Sequence, residues 1–213
     1  MLPRAFYEQD TRRVARNLLG QILTHHLPDG SLLRGIILET EAYIGEDDLA
    51  CHARAGLTPR TRIMYGAPGM AYVYFNYGMH WLFNCVTERA GFPAAVLIRA
   101  VFPIQGIAQI ACNRPAIPRR HWADGPAKLC RALQITGSHN GADLCAPNST
   151  LYIAAGIPIP EENVTIAPRV GLKTVPEPWR SIAWRWRIDP VTAQNALRNT
   201  CQISIPLHSE ETL

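Results

Sequence analysis

The stretch "QILTHHLPDGSLLRGIILETEAYIG", residues 21–45, decides how this chain folds. Two apolar arms flank Pro28-Asp29-Gly30, and each turn residue has its own reason to be there. Proline presets φ, aspartate bonds its own backbone further on, and glycine tolerates positive φ. The stretch reads as a β-hairpin with a long second arm.

Upstream, "DTRRVARNLLG" (10–20) predicts a helix, with Asp10 as N-cap, Val14, Leu18 and Leu19 on one face, and Gly20 as the stop. Downstream comes a basic loop, "HARAGLTPRTRIMYGAPG", then the aromatic ribbon "YVYFNYGMHWLFN" (72–84) and the strand "AAVLIRAVF". Helices are expected over 103–112 and 124–135, the latter with Asp124 as cap and Pro126 in its first turn. Later strands fall near 150–154, 163–170 and 181–188. Regular crossover helices do not separate these strands, which argues against a doubly wound parallel sheet. The expectation is a single α+β domain over residues 1–213, with a curved, mainly antiparallel sheet, flanking helices and a protruding hairpin.

The totals fit that expectation. A chain of 213 residues that is 47% hydrophobic and 18% charged can close one well-packed core. No apolar run approaches the roughly 18–20 residues that span a bilayer, and the N-terminus "MLPRAFYEQD" turns polar too early for a signal peptide. A cytoplasmic protein without a membrane partner is expected. Net charge is only +4, but of the 21 basic residues all except Lys128 and Lys173 are arginine. Arginine is the better phosphate fork; a GC-rich coding bias explains the same count. Cysteines at 51, 85, 112, 130, 145 and 201 show no CxxC spacing and no zinc pattern, and read as mostly buried apolar residues.

Strand alternation puts Glu39, Glu41 and Tyr43 on one face, with Leu38, Thr40 and Ala42 on the other. Glutamate is depleted in strands. Either this is a solvent-facing edge strand, or one carboxylate is a general base beside an aromatic platform. In the ribbon, Asn76 and Gly78 supply the turn chemistry, yet Tyr77 sits between them at the tip. A ring held there serves as a protein-contact anchor or as a wedge between stacked bases. "TPRTR" adds Arg60 and Arg62, which are phosphate contacts or a solvated loop. Carboxylate, stacking rings, wedge and arginines together are the parts of a base-flipping hydrolase.

"ETEAY" followed by His52, then "YVYFNYGM", Asn84, "LIRA", "GPAKLCRAL" and "PRVG" resemble, in order, the signature segments of the alkyladenine (3-methyladenine) DNA glycosylase family. The resemblance covers roughly residues 14–190 and is to the compact bacterial-type members. It implies that Glu41 activates water against C1′ of a damaged nucleotide, with Arg99 and the backbone carbonyl of Val170 helping to hold that water. Tyr43 and Tyr74 would sandwich the flipped base and His52 bind its edge. Asn84 would disfavour purines with a 2-amino group, and Tyr77 would fill the vacated stack. Arg60, Arg62, Met79, His80 and Lys128 are candidates for the DNA backbone. The implied partner is double-stranded DNA carrying alkylated or deaminated purines (3-methyladenine, 7-methylguanine, hypoxanthine, ethenoadenine), met by a monomer that needs no metal or cofactor.

Two other classes compete. One is a catalytically inactive DNA-binding module, which would need Glu41 replaced or the pocket filled. The other is a metal-dependent nuclease built on Glu39, Glu41, Asp47, Asp48 and His52; the two aspartates sit in "GEDD", which reads as a solvated turn.

Overall fold

The computed structural model describes residues 1–200. Among them the strands are β1 (Ile22–His26), β2 (Leu32–Ile44), β3 (Ala71–Asn76), β4 (His80–Val86), β5 (Ala94–Gln105), β6 (Leu151–Ala154), β7 (Thr165–Ala167) and β8 (Arg185–Arg187). Helices are α1 (Arg4–Tyr7), α2 (Thr11–Asn17), α3 (Ile107–Asn113), α4 (Pro126–Ala132) and α5 (Pro190–Thr200). The strands make one sheet in the order β3-β4-β5-β2-β1-β6, with every pairing antiparallel, so the fold is α+β as expected. No helix among the described residues is long and apolar enough to cross a membrane.

β2 is the spine of the sheet. One side pairs with β5 along most of its length, and the other is shared. Residues 32–36 pair with β1, while Glu39–Glu41 pair with β8, which carries β7 outside it. Glu41 is therefore flanked by strands on both sides and fully buried, so the edge-strand alternative does not hold. The β2–β5 ladder slips near this point: Ile37 faces Val101, Glu39 faces Ala100, and Thr40 faces Ile98. Leu38 and Arg99 drop out of register, and such bulges re-aim side chains.

α2 begins where Asp10 accepts the N–H groups of Arg12 and Arg13, as its sequence predicts. It lies on one face of β2, where buried Thr40 donates to the Ala15 carbonyl at 2.8 Å. The chain leaves the helix through Gly20, whose φ of +83° only glycine adopts freely; a Cβ there would lie 2.3 Å from the Ile157 carbonyl oxygen. Glu39, Glu41 and Tyr43 share the opposite face of β2, joined there through Glu41's bonds to Tyr43 and to Arg99, which also holds Glu39.

Several boundaries differ from the sequence reading. The helix expected from residue 103 starts at Ile107, because Pro103 and Gln105 still pair with Gly35 and Arg34. Asp124 does not cap α4: Gly125 occupies the N-cap position, and Asp124 instead accepts from Lys128 at 2.8 Å and pairs with His121 at 2.7 Å. Of the late strands, β6 falls where expected, while the other two shrink to three residues each and leave 168–172 as loop. α5 was not foreseen, although Asp189-Pro190 is a helix-start signal and Asp189 accepts the Val191 N–H at 2.7 Å. Cys51, Cys85 and Cys130 are buried as expected, Cys145 is half-buried and Cys112 exposed, while Cys201 lies outside the described residues.

Candidate active site

Three separated segments converge on Glu41. Its Oε2 accepts from the Tyr43 hydroxyl at 2.9 Å and from Arg99 Nη1 at 3.2 Å, and its Oε1 accepts the Val170 N–H at 2.7 Å. Tyr43 lies two residues along β2, Arg99 at the bulge of β5, and Val170 in the loop after β7. Burial pushes the Glu41 proton affinity above the ordinary carboxylate value, against the pull of Arg99, the Val170 amide and Tyr43. A carboxylate of raised basicity that stays hydrogen-bonded and ion-paired is suited to taking a proton.

In front of it lies a cavity of about 290 Å³. Its lining includes Tyr43, Arg99 and Val170, the groups that bond Glu41, together with His52, Tyr72, Tyr74, Asn76 and Tyr77. His52, Tyr72 and Tyr74 form an aromatic cluster, with Tyr74 4.6 Å from His52 edge-on and 5.3 Å from Tyr72. His52 Nδ1 bonds the Tyr72 hydroxyl at 3.0 Å. Burial, then Arg60 and Arg54, depress the His52 pKa to about 4, so the ring is neutral at physiological pH. Asn84 is buried, with its Nδ2 donating to the Tyr72 carbonyl at 2.9 Å.

The ribbon is a hairpin. Tyr77 and Gly78 occupy the centre of a turn closed by the Met79 N–H on the Asn76 carbonyl at 3.1 Å. Their φ values are +51° and +65°, the signs of a type I′ turn. A bulky residue seldom takes positive φ, and Tyr77 does so while 85% exposed. Met79 and His80 are exposed beside it.

The remaining predicted residues divide. Arg60 is not a free loop residue: its guanidinium lies 5.1 Å from the Tyr74 ring centroid. Arg62 is exposed. Lys128 is paired with Asp124 and does not line the cavity. The Val170 N–H reaches Glu41 directly, a contact separate from the carbonyl that the resemblance assigns to the water.

Two groups escaped the sequence reading. Asp48, read there as solvated, is fully buried: its oxygens accept from Arg169 at 2.5 and 2.9 Å and from the N–H groups of Ile44 and Ala50. Arg169 stacks 4.8 Å from the Tyr43 ring and 5.1 Å from Trp184. Its position in "PRVG" beside Val170 was the available signal; nothing in sequence joined it to Asp48. Arg185, the second group, bonds Glu39 at 3.0 Å. These contacts bear on the nuclease alternative. Glu39, Glu41 and Asp48 are each engaged by arginine, and among the described residues no group of three His, Cys, Asp or Glu side chains is placed to hold a metal ion.

A larger cleft, about 710 Å³, lies between β5, β8 and α5. Its lining has no aromatic cluster like that around Tyr74.

Comparison with known proteins points to one family. A family model described as methylpurine-DNA glycosylase matches residues 5–191. A protein of Methanocella arvoryzae is 48% identical over 185 residues, covering 84% of this chain and 90% of the relative. One from Myxococcus xanthus is 48% identical over 172 residues (80% and 81%), and one from Anaeromyxobacter dehalogenans 46% over 207 (96% and 87%). All three carry the name "Putative 3-methyladenine DNA glycosylase". Fold, pocket and relatives together define a DNA-repair enzyme that acts on alkylation damage. The chain belongs to the methylpurine-DNA glycosylase family, and it is a DNA glycosylase.

Proposed function

We propose that this enzyme flips alkylated or deaminated purines, of the 3-methyladenine, 7-methylguanine, hypoxanthine and ethenoadenine class, out of double-stranded DNA and hydrolyses their N-glycosidic bond. The observation that carries the reading is Glu41: a buried carboxylate of raised proton affinity behind a small, ring-walled cavity, flanked by an arginine and a backbone amide. The cavity lies at the small end of ligand pockets, near 300 Å³, a size suited to one extruded base rather than a base pair.

Tyr43 and Tyr74 stack on the base, neutral His52 bonds its edge, and Asn84 stands where a 2-amino group would project. Water enters between Glu41, Arg99 and the backbone of Val170. The C1′–N bond breaks as the leaving base takes its electron pair, the water oxygen bonds C1′, and Glu41 accepts the proton. The oxocarbenium-like state is stabilised by the adjacent carboxylate, as in sugar hydrolysis. Tyr77 fills the emptied stack, and Arg60, Arg62, Met79, His80 and Lys128 contact the DNA backbone. The enzyme acts as a cytoplasmic monomer.

The test uses duplexes that each contain one of the four lesions, under single-turnover conditions with EDTA, divided between mild and alkaline work-up. Free base should appear, with strand breaks only after alkali, because water rather than an enzyme amine attacks the sugar. Breaks under mild conditions, a borohydride-trapped adduct, or loss of activity with EDTA would overturn the mechanism.

A further inference from the structure

Glu39 has no part in the chemistry above, yet it is tied more firmly than a surface carboxylate. Its Oε1 accepts from Arg99 Nε at 3.0 Å and from Arg185 Nη1 at 3.0 Å, with its side chain only 16% exposed. Arg99 then spends Nη1 on Glu41 at 3.2 Å. Arg185 directs its Nε to the Pro168 carbonyl at 2.8 Å, two residues before the amide that caps Glu41. A single oxygen of Glu39 thus joins the β5 arm and the 168–170 loop, the two contacts that reach Glu41 from outside β2.

Resting on the glycosylase reading of Glu41, we propose that Glu39 and Arg185 are positioning residues that hold Arg99 and Val170 at fixed places around the general base. An arginine facing one carboxylate alone tends to close a two-bond fork on it. That fork would occupy Glu41 and weaken it as a base. With Nε held by Glu39, Arg99 offers Glu41 a single N–H, and the second carboxylate's charge counters Arg99's pull on the Glu41 proton. The charged and titratable groups around Glu41 are Tyr43 and Glu39 on β2, Tyr74 on β3, Arg99 on β5, Arg185 on β8 acting through Glu39, and Arg169 in the loop, itself matched by Asp48.

The test compares wild type with Glu39→Gln and Arg185→Lys. Two measurements are made: the Glu41 carboxyl titration by ¹³C NMR, assigned with Glu41→Gln, and single-turnover base release from a lesion duplex across pH. Glu39→Gln should lower the Glu41 midpoint and move the acid limb of the rate profile down with it. Its plateau rate should fall about tenfold or more, because a reacting group has lost its placement. Arg185→Lys keeps the charge but cannot span both Glu39 and the Pro168 carbonyl, so it should lower the plateau with little change in midpoint. An unchanged Glu41 midpoint in Glu39→Gln overturns the proposal, whatever happens to its melting temperature. Where wild type is active, so do rates within about twofold of it in both variants. If wild type releases no base while the midpoint still moves, the glycosylase reading fails and the positioning stands. If wild type is active and neither variant differs, the positioning fails and the reading stands.

Discussion

Arg169 and Asp48, separated by 121 positions in sequence, form an ion pair in which neither side chain is exposed to solvent. The arginine also donates to the carbonyls of Ala42 and Trp179 and lies between the rings of Tyr43 and Trp184. It therefore secures the chain on both sides of the pocket: β2 at Tyr43 and the loop at Val170.

Removing one partner strands the other in the interior. Asp48→Asn should cost about 3–5 kcal/mol, the range for a buried pair broken on one side. Chemical denaturation with a two-state fit measures it. A midpoint equal to wild type would show that losing the Asp48 charge does not strand Arg169.

Glu41→Gln preserves shape and removes the base. Single-turnover release should fall by about 10²-fold or more, while lesion-duplex binding measured by anisotropy stays near wild type. Near-normal turnover would transfer the base role elsewhere, with Glu39 the first candidate.

Tyr77 combines strained backbone with an exposed ring, so stability and function should separate there. Tyr77→Asn places a residue that tolerates positive φ at the tip and should raise stability, by up to about 1 kcal/mol. It should weaken lesion-duplex binding, since base–aromatic stacking is worth about 1–3 kcal/mol. Single-stranded substrate, with no stack to open, should suffer far less. Equal losses on both substrates would make the ring a structural element.

The parts legible in sequence were those set by local rules. Asp10, Gly20 and the Pro28-Asp29-Gly30 turn announced α2 and the β1–β2 hairpin, and the two-residue period put Glu39, Glu41 and Tyr43 on one face. Other features depend on partners far along the chain. Asp48 in "GEDD" gives no local sign of burial, because Arg169 arrives 121 residues later. The Arg99 bulge is equally silent, since a register slip belongs to two strands together. Residues 103–105 read as helix because local propensity cannot see that β2 is long enough to keep pairing with them.

The two-histidine contact beneath β1 should make stability depend on pH. His25 Nδ1 lies 2.7 Å from the Leu133 carbonyl and so carries a proton, which leaves Nε2 as an acceptor. His139 Nε2 lies 3.1 Å from that acceptor and donates to it, while its Nδ1 accepts the Thr136 N–H at 3.1 Å. The chain closes only with both rings neutral, and protonating His25 would set N–H against N–H. Burial is the main cause depressing both pKa values below the ordinary 6.5. The unfolded chain therefore binds more protons than the folded one below about pH 6.5, and stability rises with pH in that window. On acidification it should begin to fall as the unfolded histidines titrate, and the decline from this pair ends once the folded rings are protonated. His52, depressed to about 4, adds a decline of the same sign. Urea unfolding at pH 7.5 and 5.5 measures the total. In His139→Ala, His25 loses its like-charged neighbour and part of its burial, so its pKa returns toward normal and the acid-side loss should shrink. A loss in that variant as large as in wild type would place the pH dependence outside this pair.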